Sequence, residues 1–286
     1  CLSSMNALHF DRWKDTDAVQ VLTYFLDAVM EEFIQKAEHI PMLERAARFS
    51  KRHRAIGIGV LGWHSYLQRN SIPFDGFEAM TRNAKLFKHI QKKSYDASME
   101  LAEMFGEPEV LEGYRRRNTT TMAVAPTKSS SFILGQVSQS IEPERANYYV
   151  RDTAKLKHTY RNPFLRERLQ ELDKDTQETW DSIRMHDGSV QHLDFLSDHD
   201  KKVFRTLFEI PQLSIIQQAA QRQQWIDQSQ SLNIAINPSE TSVKELNQLY
   251  IEAWKLGCKT LYYQHSINSS QVFGRKKLME CSSCEG

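Results

Sequence analysis

No stretch of this 286-residue chain approaches the roughly 20 consecutive apolar residues that a membrane-spanning helix requires. Its first residues also lack the apolar core of a signal peptide. Neither sign of charge is in excess: 37 basic and 36 acidic residues leave a formal net charge of +1. That balance gives neither nucleic acid nor a membrane surface an electrostatic hold, so neither is expected as a partner. Cysteine is scarce, at four residues, which excludes a secreted disulfide scaffold and makes a reducing, cytoplasmic setting the expectation. Cys281 and Cys284 form one C-x-x-C with no second such pair and no paired histidine motif, so no metal site is expected. The glycine-punctuated run Ala55–Gly62 lacks the G-x-G-x-x-G spacing of a dinucleotide loop. Close backbone packing explains its glycines better.

What is present reads as alternating helices and buried strands, hence an α/β fold. Val19, Leu22, Leu26, Val29 and Phe33 recur at helical spacing between Asp15 and Ile40, where Pro41 closes the element. A basic stretch from Arg45 to Arg54 follows. A second long helix is predicted over 76–105, with Phe87, Ile90, Ala97, Leu101 and Met104 on one face. Thr119–Ala125 is β-prone and breaks at Pro126 into Thr127-Lys128-Ser129-Ser130-Ser131. Residues 145–161 read as strand or hairpin, the polar stretch 163–205 as short surface helices, and 213–228 as helix. A short strand is expected over 231–236. Ser242-Val243-Lys244-Glu245 is a capping box opening a last helix, whose apolar residues are Val243, Leu246, Leu249, Ala253 and Leu256 and whose stop is Gly257. A strand then runs through Tyr263.

Three segments carry candidate chemistry. The turn after Pro126 offers hydroxyls and backbone N–H groups before a helix, a combination that holds phosphate. From composition alone, an ordinary N-cap turn satisfying its own donors fits it better. Tyr262 and Tyr263 are adjacent, and in a regular strand one would face the core and the other solvent. If the rings instead stack, the strand must end or distort there, and the phenols can pass an electron and a proton. At the chain's end, Cys281 and Cys284 read as a redox dithiol. Residues 264–280, treated as a flexible coil, give them a reach of roughly 20–25 Å. Thiol–disulfide exchange then requires a buried partner pair for the tail to reduce.

In their order, these blocks resemble the C-terminal half of a class I ribonucleotide reductase large subunit of the T4-like phage and enteric type. Cys1-Leu2-Ser3-Ser4-Met5-Asn6 is similar to the segment carrying the second active-site redox cysteine. Arg54–Val60 resembles the glycine motif, and Arg117–Ser131 the substrate-phosphate strand and loop, ending at Ser140-Ile141-Glu142-Pro143. Trp225–Ser229 and Lys259–Gln264 resemble later blocks, and the dithiol tail closes the pattern. Lys128 departs from the acidic residue that some relatives carry.

The resemblance implies a fold, the C-terminal half of a ten-stranded α/β barrel over residues 1–264, with a flexible redox tail over 265–286. It also implies a reaction. A tyrosyl radical, with its di-iron centre, sits in a separate small (beta) subunit and is relayed through Tyr263 and Tyr262 to a catalytic cysteine. The resulting thiyl abstracts the 3′ hydrogen of a ribonucleoside diphosphate, the 2′ hydroxyl leaves as water, and a cysteine pair that includes Cys1 supplies two electrons. Cys281 and Cys284 would re-reduce that pair and then be reduced by thioredoxin or glutaredoxin. Pro126, Thr127, Lys128, Ser129 and Ser130 would form the diphosphate site. No cofactor is expected on this chain, and nucleotide effectors are expected on the N-terminal half.

The thiyl-bearing cysteine of the family precedes the position of Cys1, and Cys258 lies in the wrong block to replace it. The chain opens on Cys1 rather than Met, which fits either a trimmed start or the continuation of a polypeptide encoded elsewhere. The expectation is a split subunit, inactive alone, that needs its N-terminal half to cover strand edges and apolar faces. The alternatives are a non-catalytic assembly module that kept the fold, a glycyl-radical relative and a protein disulfide reductase. The last two lack their own motifs here.

Overall fold

The computed structural model describes residues 1–153 and 156–267. Strand β1 (Leu2–Asn6) leads through a 3-10 turn into α1 (Phe10–Trp13), where Phe10 and Trp13 meet edge to face. Helix α2 (Ala18–Ala37) buries Val19, Leu26, Met30 and Ile34. It falls inside the predicted span, but its buried stripe is rotated from the expected one: Phe33 is exposed and Met30 and Ile34 are not. The basic stretch is itself a helix, α3 (Glu44–His53), ended by Arg54 in the left-handed region at φ 45°.

That unusual backbone serves a buried charge cluster. Arg54 donates to both carboxylate oxygens of Asp27, at 2.9 and 3.0 Å, and to Glu31 at 2.6 Å. Arg117 donates to Asp27 at 2.8 Å, and Asn118 adds a further hydrogen bond at 3.0 Å. Burial alone would raise the Asp27 pKa, but the hydrogen bonds and charges of Arg54 and Arg117 outweigh it and hold the carboxyl below its ordinary value. The cluster ties α2 to the starts of two strands.

The first of these is β2 (Gly57–Leu61), buried throughout and parallel to β1. Its glycines permit a close approach that any side chain would prevent. A Cβ on Gly57 would lie 2.7 Å from that of Ala123, and one on Gly59 only 2.5 Å from the Ala123 carbonyl oxygen. Helices α4 (Trp63–Arg69) and α5 (Phe77–Phe105) cover this sheet, α5 within a residue of its predicted limits.

The Thr119–Ala125 segment lies parallel to β2 at Ile58 and to a further segment at Val124 and Gln230. Asp227 fixes it by accepting the N–H groups of Thr121 and Met122 at 2.7 and 3.0 Å. The chain continues into α6 (Lys128–Ile133), the antiparallel hairpin β3 (Tyr148–Thr153) and β4 (Leu156–Arg161), and helices α7 (Pro163–Glu171), α8 (Gln177–Met185) and α9 (Asp198–Val203). The stretch predicted as surface helices has a core of its own, built from Leu165, Leu169, Trp180, Ile183, Val190 and Val203. Helix α10 (Gln212–Gln223) returns to the main core, and β5 (Ile234–Ile236) follows. Helix α11 (Val243–Lys255) begins at the expected Ser242–Glu245 capping box. Its apolar face, however, is largely open: Val243 is 84% and Trp254 76% exposed. Strand β6 (Gln264–Ser266) pairs in parallel with β5, so the sheet continues past residue 264.

Taken along the ladder, β1, β2, Thr119–Ala125, Gln228–Ile236 and Thr260–Ser266 form five neighbouring parallel segments wrapped by helices. Among the described residues β1 pairs only with β2 and β6 only with β5, so both flanks are open. No described helix is long and apolar enough to cross a membrane.

Candidate active site

The last strand does not begin until Gln264, and the two tyrosines before it are not alternately disposed. Tyr262 N–H is taken by the Leu232 carbonyl at 2.8 Å, whereas Tyr263 N–H leaves the ladder for the side-chain oxygen of Asn233 at 2.9 Å. This break in the strand lets consecutive rings lie side by side. Their centroids are 4.1 Å apart at 45°, and the Tyr262 hydroxyl donates to that of Tyr263 at 3.3 Å. Both rings are about half exposed. The hydrogen bond to Tyr263 and that neighbour's charge raise the Tyr262 phenol pKa. The structure departs from the alternating arrangement: the rings lie side by side in a distorted strand, tilted at 45° rather than stacked in parallel.

The turn after Pro126 stands against this pair. Thr127, at φ 49°, is in the left-handed region, and its hydroxyl accepts the N–H of Ser140, itself at φ 50°. Two non-glycine residues facing each other in that conformation are a strained feature of the kind found at functional sites. Lys128, Ser129 and Ser130 occupy the exposed first turn of α6, where backbone N–H groups lack helical acceptors by position. The Lys128 ammonium lies 5.3 Å from the centroid of the Tyr263 ring.

Beneath the turn, Lys128, Gln139, Glu142, Arg145 and Tyr149 line a cavity of about 430 Å³. Glu142 is 7% exposed and accepts a hydrogen bond from Asn233, the same side chain that holds Tyr263 N–H. Burial pushes its pKa up to about 7, against the opposing pull of Arg145, the Asn233 hydrogen bond and Lys128. His265 is half-buried with its ring 6.4 Å from Tyr263, and its Nε2 has no partner among the described residues. Burial, Arg145 and Lys128 lower its pKa. In the sequence Glu142 stands out only as part of a block, and nothing there assigns a role to Asn233 or His265. The available signal was only that Glu142 lies between Ile141 and Pro143.

Of the other candidates, Cys1 is exposed and stands at the start of β1, where its carbonyl accepts the N–H of Gly57 at 2.8 Å. It is level with Ile56 and Thr120 on the ladder, at the opposite end of the Thr119–Ala125 segment from Thr127, and so is not part of the turn–tyrosine cluster. Cys281 and Cys284 lie outside the described residues. Cys258 is half-buried against α10 and, like Cys1, is a free thiol.

Five neighbouring parallel segments wrapped by helices, with a tyrosine pair beside a hydroxyl-rich turn, define the fold class as part of an α/β barrel. The family profile described as "Ribonucleotide reductase, barrel domain" matches residues 1–116 and 108–264, and the chain belongs to this family. It is 40% identical over 296 residues to the putative ribonucleoside-diphosphate reductase large subunit of Frog virus 3, covering all of this chain and 52% of that protein. The ribonucleoside-diphosphate reductase large subunit of Invertebrate iridescent virus 6 is 44% identical over 271 residues, covering 93% of this chain and 28% of that one. Among solved structures, the class Id ribonucleotide reductase alpha subunit of Actinobacillus ureae superposes with a TM-score of 0.89 at 60% identity, covering 94% of this chain and 49% of that chain. The chain thus spans about half or less of the length of these relatives.

Proposed function

We propose that this chain supplies part of the catalytic barrel of a class I ribonucleoside-diphosphate reductase large subunit. The observation that carries the reading is the tyrosine pair: two phenols in van der Waals contact, hydrogen-bonded to each other and held at a break in the strand. A non-catalytic module would have no use for that distortion. Tyr263 and Tyr262 relay a radical inward from a small subunit. Pro126, Thr127, Ser129 and Ser130 hold the substrate diphosphate. Cys1 is one half of the reducing pair, and Cys281 and Cys284 on the tail of residues 265–286 regenerate it with thioredoxin or glutaredoxin. The thiyl cysteine and the effector sites belong to the other half of the barrel, which docks on the open flanks of β1 and β6 and on exposed apolar faces. The class Id assignment of the Actinobacillus ureae relative supports placement within class I.

The test uses the complete large subunit with its small subunit. Tyr262→Phe or Tyr263→Phe abolishes formation of deoxyribonucleoside diphosphate while binding of the ribonucleoside diphosphate is kept. Turnover retained in both variants overturns the reading.

A further inference from the structure

The Lys128 side chain stands between two functions that the proposed reaction treats separately. Its backbone opens the first turn of α6, within the diphosphate turn, yet its ammonium lies over the face of the Tyr263 ring at 5.3 Å. It also lines the cavity that contains Glu142 and Arg145. A cation over the face of a neutral phenol is attracted by the electron-rich ring, and that attraction weakens when the ring loses an electron. The same cation would be attracted more strongly by the oxygens of a diphosphate held at its own helix turn, because a charge-assisted hydrogen bond outweighs a ring contact at an exposed site. Lysine is suited to such an exchange, since its ammonium is a point charge on a flexible stem.

We propose that Lys128 couples substrate binding to the tyrosine relay, exchanging the Tyr263 ring for the diphosphate oxygens when a ribonucleoside diphosphate is held at the turn. This inference rests on the reductase reading above and adds a regulatory link to it. The ammonium over the ring makes Tyr263 harder to oxidise, and drawing it to the substrate removes that restraint, so the relay is released when there is a substrate to reduce. Lys128 acts here as a positioning residue, through Tyr263 and the substrate phosphate rather than on the reacting carbon. The oxidant remains the protein radical of the small subunit, and no further reductant or co-reactant enters.

The experiment places 3-nitrotyrosine at position 263 of the complete large subunit and follows its phenol titration by absorbance, with and without saturating CDP or ADP. Tyr262, His265, Glu142 and Arg145, which stand around the same ring and cavity, are left unchanged. In the protein with Lys128, CDP raises the nitrophenol pKa by about 0.5–1 unit, as expected for removal of a partly exposed opposite charge. In Lys128→Met, CDP adds only the smaller shift due to its own charge. Lys128→Arg restores the larger shift, which a loss of folding in the Met variant would not mimic. Identical titrations in the Lys128 and Met proteins overturn the proposal. Equilibrium dialysis separates its failure from that of the reductase reading: CDP and ADP that bind without a Lys128-dependent shift sink the coupling alone, and nucleotides that do not bind sink both.

Discussion

The hydroxyl of Tyr262 donates to that of Tyr263 across 3.3 Å, although the two residues are consecutive and precede a strand that would turn them apart. The contact is made by Asn233, which takes the Tyr263 N–H out of the ladder and also donates to Glu142. The proposed radical relay therefore depends on a buried amide and a carboxylate, as well as on the phenols.

The raised pKa of Glu142 has a consequence for stability. Between its unfolded value of 4.5 and its folded value of about 7, the unfolded chain has released a proton that the folded protein still holds. Stability must then fall as pH rises through that window and stay reduced above it, by an amount on the order of 2–3 kcal/mol. Glu142→Gln keeps an acceptor for Asn233 and removes the decline. Urea unfolding at pH 5 and pH 8 should show the variant gaining on the parent at pH 8 and not at pH 5.

Asp27 behaves in the opposite sense. Its carboxyl pKa is lowered in the folded protein by Arg54 and Arg117, so its contribution is complete above its unfolded value of 3.8 and is lost as pH falls through the lower folded one. Asp27→Asn leaves two buried guanidinium groups without their shared countercharge and should cost about 3–5 kcal/mol. It should also flatten the acid limb below about pH 4, as read by circular dichroism.

Gly59→Ala tests the close strand approach. The added Cβ meets the Ala123 carbonyl oxygen at 2.5 Å, a backbone atom that cannot swing aside. A loss of about 1–3 kcal/mol is expected, together with weaker CDP binding, because the Ala123 segment leads directly into Thr127. A neutral result in denaturant unfolding contradicts this packing of β2 against Ala123.

The tail cysteines divide single from multiple turnover. With Cys281→Ser and Cys284→Ser together, a pre-reduced enzyme should complete one round of reduction and then stop with thioredoxin as the only reductant. Continued turnover at the parent rate would remove the tail from the proposed cycle.

Much of this was legible in the residues. Helix α5 announced itself through its apolar stripe over 77–105, and Ser242 and Glu245 marked the start of α11 because both partners of a capping box are local. The resemblance named the tyrosine pair as a relay, but whether the two rings meet could not be decided, because the deciding contact comes from Asn233, about thirty residues upstream. Helix α3 was read only as a basic stretch, since its one buried residue is Ala47 and charge dominates the rest. The 163–205 region looked like polar surface, yet Trp180 and Ile183 close a second small core there. Scattered apolar residues reveal such a core only after folding. The apolar pattern of α11 was legible, but its degree of exposure was not, because that depends on what packs against it in three dimensions. Glu142 escaped notice for a similar reason: its burial and its Asn233 partner are set by long-range packing.

The most direct test of the central claim is an electron paramagnetic resonance spectrum of the complete enzyme with 3-aminotyrosine at position 263, an analogue whose phenol is easier to oxidise. Mixing it with the small subunit and a ribonucleoside diphosphate should transfer the small-subunit radical to residue 263, giving a new aminotyrosyl signal as the original one declines. An undiminished small-subunit signal, with normal turnover and no aminotyrosyl radical, would show that Tyr263 is not on the path.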